Sequence, residues 1–184
     1  MSDRHDTRSR IQEIALELFI EQGYDKTSLR EIAERLGVTK AALYYHFPTK
    51  DDIVNSLVED RIAQLHALTE WASSQPRTAE TRRQVIRMYA EELHDTKAHQ
   101  VMQFFERNQA AIKQMDAMKR MRNQLTELFD TITDPNDALT EQLKSSLAVF
   151  AIHASLFVFR NRDATPEQQR EAALTVALEL IGGD

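Results

Sequence analysis

The sequence predicts an all-α fold of about nine helices. Three observations carry that reading. Only 4 Gly and 4 Pro occur in 184 residues, far too few for a sandwich or barrel, which needs turn residues every ~8–12 positions. Apolar residues recur at spacings of three and four rather than two. Capping signals stand immediately before several of those stripes.

Taken in order, Ile11, Ile14, Ala15, Leu18 and Phe19 form one apolar stripe of a first helix, which Gly23 stops. Ser28 followed by Glu31 reads as a capping box before Leu29, Ile32, Ala33 and Leu36, a second helix that ends at Gly37. A third short helix runs from Thr39 to about His46 with Ala42 and Leu43 inward, closed by Pro48. Thr49, with Asp51 and Asp52 in the first turn, caps a fourth helix from about Lys50 to Ala72, broken by Ser73-Ser74-Gln75-Pro76. A fifth covers roughly Ala79 to His94, and a short sixth carries Val101, Met102, Phe104 and Phe105. Met118, Met121, Leu125, Leu128 and Ile132 mark a seventh. Asp134-Pro135 reads as the start of an eighth helix reaching about Asn161, and Thr165-Pro166 as the start of a ninth with Leu174, Ala177, Leu178 and Ile181 inward.

Composition excludes several classes. With no Cys there are no disulfides, no thiolate-held metal and no thiol catalysis. The polar N-terminus has no signal-peptide core. The longest nearly apolar run, Leu147 to Phe159, falls short of the ~20 residues that span a bilayer, so a cytoplasmic chain without membrane contact is expected. No H-E-x-x-H pair, phosphate-cradling Gly loop or nucleophile elbow occurs, so no catalytic residue, metal or cofactor is expected. The net charge is −6, but residues 1–50 hold equal numbers of basic and acidic side chains, so the whole excess lies beyond them. A neutral, locally basic end on an acidic body can still meet a phosphate backbone.

Three short helices with a Gly between the second and third are the sequence form of a helix-turn-helix. Its third helix would turn Leu43 inward and leave Thr39, Lys40, Ala41, Tyr44, Tyr45 and His46 outward. Lys40 suits guanine O6/N7, Ala41 a thymine methyl, and the tyrosines and histidine offer donors for phosphates. An ordinary capped helix with a half-buried Tyr pair is the competing reading of the same spacing.

Residues 8–57 resemble the N-terminal region of the tetracycline-repressor (TetR) family of bacterial transcription regulators. The matching stretches are I-x-x-x-A-L-x-L-F at 11–19, G-Y-D-K-T-S-L-R-E-I-A at 23–33 and G-V-T-K-A-A-L-Y-Y-H-F-P-T-K-D-D-I at 37–53. The resemblance implies a DNA-binding domain over residues 7–67, including the start of the fourth helix, and a regulatory and dimerisation domain over 68–184. It implies that Thr27 and Ser28 bind a phosphate through hydroxyl and backbone N–H. Thr39, Lys40, Ala41 and Tyr44 would face base edges, while Tyr45, His46 and Lys50 would contact phosphates. Ser28 as a pure cap and Lys50 as a solvated lysine are the plainer alternatives. Arg4, Arg8 and Arg10 read either as an arm toward DNA or as a frayed terminus.

The body beyond residue 60 matches the family only in helix layout. The eighth helix is apolar nearly all round, which fits either a dimer interface with the ninth helix or a central helix within one subunit. Phe150, Phe157, Leu174 and Leu178 are the interface candidates. Trp71, Met102, Phe105, Met118, Met121, Phe129 and His153 are candidates to line a small-molecule pocket, although a plain core accounts for each more readily. The expectation is a homodimeric repressor on palindromic double-stranded DNA, released by an unidentified small molecule. An activator or a ligand-independent regulator is the alternative, and a helical adaptor or an enzyme a remote one.

Overall fold

The computed structural model describes the backbone of residues 2–93, 95–112, 115–159 and 162–182, and the side chains in those ranges apart from 2–5, 96, 106, 110 and 111. Its helices are α1 Ser2–Gln22, α2 Leu29–Leu36, α3 Lys40–His46, α4 Lys50–Ser73, α5 Ala79–Leu93, α6 Thr96–Arg107, α7 Gln109–Ile112, α8 Asp116–Ile132, α9 Leu139–Val158 and α10 Pro166–Leu180. α7 is a single turn, so the described residues hold nine longer helices and no strand. The all-α expectation is met. His94, placed at the end of the fifth helix by its sequence, lies outside the described residues.

The chain forms two units, Met1–Arg61 with Gln100–Lys119, and Ile62–His99 with Arg120–Asp184. The first unit therefore takes in a segment that a single cut after residue 67 would give to the body.

In the first unit, α1 buries Ile11, Ala15, Leu18 and Phe19 from its stripe, with Leu16 beside them. Ser28 caps α2 as a full capping box: its Oγ accepts the Glu31 N–H at 3.2 Å, and the Glu31 carboxylate accepts the Ser28 N–H at 2.7 Å. Such a cap contributes ~1 kcal/mol. Gly37 ends α2 at φ +74°, a left-handed conformation that costs other residues ~1 kcal/mol or more. Thr39 Oγ1 accepts the Ala42 N–H at 3.1 Å and starts α3. Leu43 and Phe47 then seat α3 on the core. Thr49 and Asp52 cap α4 reciprocally, at 3.1 and 2.9 Å.

One polar link is built into this core. Gln12, only 1% exposed, donates through its amide to Ser56 Oγ and to Asp60 Oδ2, both at 2.9 Å. It ties α1 to α4, and Arg8 approaches the other Asp60 oxygen at 4.0 Å.

In the second unit α10 packs on α9 and α5, and α5 packs on α9. Ala148 and Ser145 on α9 and Ala173 and Ala177 on α10 are buried, small residues that let helix axes approach closely. α5 contributes Val85, Ile86, Tyr89, Ala90 and Leu93 to this core. The α10 start follows the sequence reading, with Thr165 as cap, Pro166 in the first turn and Gln168 completing a capping box.

Three element boundaries differ from the sequence reading. Asp134-Pro135 does not start a helix. The Asp134 carboxylate accepts the Asn136 N–H at 2.9 Å and its carbonyl accepts the Asp137 N–H at 3.0 Å, so a turn forms locally and α9 begins at Leu139. α9 ends at Val158 rather than near Asn161, which lies outside the described residues. α1 begins at Ser2, so the arginines expected on a flexible arm or frayed end stand on a helix. Arg8 lies 5.4 Å over the Phe47 ring, and the Arg4 side chain is outside the described residues.

Candidate nucleic-acid interface

α3 is only seven residues long and takes its orientation from one fully buried residue, Leu43, with Phe47 following. The rest of its surface is open: Thr39, Lys40, Ala41, Tyr44 and Tyr45 are exposed and His46 is half-buried. Tyr44 is 41% exposed and Tyr45 65%. Lys40 Nζ lies 5.3 Å from the Tyr44 ring centre, which gathers its charge onto the same face. Tyr45 meets His46 edge-on at 5.4 Å. One short face thus presents an ammonium, two phenols, a methyl group and a capping threonine, a set that can read base edges and hold phosphates.

The flanking residues divide. Thr27 is turned inward, 2% exposed. Its hydroxyl lies 2.9 Å from the Gly23 carbonyl and 3.3 Å from the Leu18 carbonyl, and it accepts from Gln22 Nε2. That hydroxyl is engaged in the α1–α2 connection. Ser28 is exposed, and its hydroxyl donates to Glu31 Oε2 at 2.7 Å. The Ser28 hydroxyl and backbone N–H together hold the Glu31 carboxyl below the usual carboxylate range.

Lys50 is not a solvated lysine. Its ammonium donates to the Tyr24 carbonyl at 2.6 Å, reaches the Asp25 carbonyl at 3.5 Å and lies 4.5 Å from the Tyr24 ring centre. Tyr24 was not singled out by the sequence, yet it organises this corner. Its hydroxyl donates to Asp51, and burial followed by that carboxylate pushes its phenol well above the usual range. Nothing in the spacing marks Tyr24, because its partners stand 26 and 27 positions away.

In the second unit, α9 carries a continuous exposed apolar stripe: Leu139, Leu143, Leu147, Phe150, Phe157 and Val158, each between 42% and 82% exposed. Phe150 and Phe157 were interface candidates and lie on it. Leu174 and Leu178 on α10 are half-buried, while Val176 is 49% exposed.

The candidate ligand residues fall in both units. Met102, Phe105 and Met118 belong to the first unit; Trp71, Met121, Phe129 and His153 belong to the second. Phe105 and Met121 are buried, 6% exposed each, and the others are half-buried. Phe129 stacks on Phe150 at 5.1 Å. The His153 ring lies with Nδ1 3.3 Å from the Val149 carbonyl and Nε2 2.8 Å from the Tyr89 hydroxyl. A cavity of about 10 Å³ in the second unit, lined by Thr78, Arg82, Val85, Thr133 and their neighbours, includes none of the candidate ligand residues. Among the described residues no helix is long and apolar enough to cross a membrane.

Residues 11–57 match the family model described as bacterial regulatory proteins, tetR family. The chain is 44% identical over 57 residues to the HTH-type transcriptional regulator AcrR of Shigella flexneri, covering 31% of this chain and 26% of AcrR. It is 37% identical over 81 residues to the class A tetracycline repressor protein from transposon 1721 of Escherichia coli, covering 41% and 38%. These matches span between about a quarter and two fifths of the relatives' own length. The crystal structure of Mycobacterium smegmatis AmtR superposes with a TM-score of 0.73 over 96% of this chain and 86% of that one, at 22% identity, a likeness of fold. Residues 11–57 are thus similar to the matching stretch of bacterial regulatory proteins of the tetR family, and the likeness beyond them is one of fold.

Proposed function

We propose that this chain is a DNA-binding transcriptional regulator, a homodimeric repressor of a palindromic operator. The observation that carries the reading is the α3 surface: Leu43 anchors it, and Lys40, Tyr44 and Tyr45 stand exposed on the outside. Thr39, Lys40, Ala41 and Tyr44 would meet base edges, and Tyr45, His46, Lys50 and the start of α2 at Thr27 and Ser28 would meet phosphates. The names of its relatives, among them a tetracycline repressor, support repression. No reaction is proposed for the chain.

The α9 stripe supports the homodimer. Six large apolar side chains exposed along one helix form a patch that a soluble monomer rarely leaves to water. A second copy covers it by the same patch, as two-fold symmetry requires. Two copies of α3 would then enter successive major grooves ~34–36 Å apart. Release by a small molecule acting through α4, which contributes residues to both units, completes the reading. By linkage, DNA would weaken that ligand's binding by the same factor.

Selection from random duplex DNA tests this. An inverted repeat with ~4–6 base pairs per half, bound at two chains per duplex, is expected. A single asymmetric half-site bound by one chain would overturn the dimer, and no selected sequence at all would overturn DNA recognition.

A further inference from the structure

We propose that Tyr24 and Phe104 are positioning residues for the DNA-facing end of α4, so that residues 100–119 set operator affinity without touching DNA. The inference rests on the DNA-binding reading above and adds to it a second, internal determinant.

Phe104 on α6 is fully buried. Its ring lies 5.2 Å from Phe19 and 6.1 Å from Tyr24. Arg107, one turn further on, donates to the Ile20 carbonyl at 3.2 Å. α6 therefore grips the last turn of α1 and Tyr24, two residues beyond it. Phe19 meets Tyr24 edge-on at 5.1 Å, so the three rings form one cluster, an arrangement whose geometry is specific beyond simple area burial.

The other side of Tyr24 belongs to α4. Its hydroxyl donates to Asp51, its carbonyl accepts from Lys50, and its ring faces the Lys50 ammonium. Lys50 and Asp51 are the first two residues of α4. An ammonium has three N–H donors; the Tyr24 and Asp25 carbonyls accept from it at 2.6 and 3.5 Å, and a third donor would serve a phosphate. A free lysine loses side-chain freedom when it is fixed on a phosphate. A lysine already seated on Tyr24 has given up most of that freedom beforehand, and such preorganisation raises affinity. Loosening Phe104 releases Tyr24, and through it the Lys50 seat.

The test uses the full chain and a palindromic duplex selected by the wild-type protein, with binding curves at several salt concentrations. Phe104→Ala and Phe104→Leu are compared with Lys50→Ala and with the Phe104/Lys50 double variants. The Leu variant keeps burial and decides the matter if the Ala variant fails to fold. Each Phe104 variant is expected to bind about 5- to 30-fold more weakly, equally on all single-base variants of the duplex. The slope of log affinity against log salt should fall by ~0.9 per half-site engaged, as for Lys50→Ala. The double variant should bind no more weakly than Lys50→Ala alone, because both changes remove the same contact. Tyr24→Phe, which keeps the ring and loses the hydroxyl to Asp51, should fall between wild type and Phe104→Leu.

Strictly additive losses, or a folded Phe104→Leu that binds like wild type, would overturn the proposal while leaving the DNA-binding reading intact. Failure of the wild-type chain to select any duplex overturns that reading instead, so the two failures are distinguishable.

Discussion

Removing the Gln12 amide should detach α1 from α4 at one buried point, and the cost can be worked from its partners. Gln12→Ala deletes one hydrogen bond to the Ser56 hydroxyl, about 1 kcal/mol, and one to the Asp60 carboxylate, about 1.5–3 kcal/mol. The lost buried methylene adds ~0.8 kcal/mol. Two features hold the total down. Ser56 keeps its own donation to the Ile53 carbonyl at 2.7 Å. The Asp60 side chain is 45% exposed, so water replaces much of what its oxygen loses, and the lower end of the carboxylate range applies. The expected loss is about 3 kcal/mol. Gln12→Leu, which refills the volume but supplies no donor, should lose about 2 kcal/mol. Urea unfolding followed by far-ultraviolet circular dichroism measures both, at one protein concentration because a dimer's midpoint depends on it. Combining Gln12→Leu with Asp60→Ala should cost at least ~1 kcal/mol less than the sum of the single changes. A Gln12→Ala variant within ~0.5 kcal/mol of wild type, or full additivity in the double variant, would refute the claim that this amide holds the two helices together.

Lys40→Ala should relax preference at one base position per half-site by ~1–3 kcal/mol, whereas Lys50→Ala should weaken all sites alike; uniform weakening by Lys40→Ala would remove it as a base reader. Lys50→Ala should also lower stability by about 1 kcal/mol, read by thermal melting, because its ammonium ties Tyr24 and Asp25 to α4. Leu143→Asp or Phe157→Asp should give folded monomers in sedimentation, since a charge buried in the paired stripe costs several kcal/mol; unchanged dimers would move the interface elsewhere. The Tyr24 phenol is raised in the folded chain, by burial and then Asp51, so the folded state holds that proton to higher pH than the unfolded chain. Its contribution is complete below pH ~10, where unfolded tyrosines begin to ionise, and is lost as pH rises beyond. Wild type should therefore lose stability above pH ~10 more steeply than Tyr24→Phe, and parallel curves would contradict the assignment.

What the sequence determined by itself is local. Helices form where apolar residues repeat every three or four positions, and they start where Ser28, Thr39, Thr49 and Thr165 reach back to the backbone within three residues. These interactions close over one turn, so neighbours in sequence suffice to specify them. The α3 surface was legible for the same reason: one buried Leu43 places all the outward residues of a seven-residue helix. The Asp134-Pro135 misreading marks the edge of that reach, because the same cap chemistry closes a turn as readily as a helix. Tertiary structure decided the rest. It turned the Thr27 hydroxyl inward, seated Lys50 on Tyr24, and brought residues 100–119 beneath α1. Those outcomes join positions from 9 to 87 apart. Half-polar side chains such as threonine, tyrosine and lysine fit either a core or a surface, and only the packed neighbours settle which.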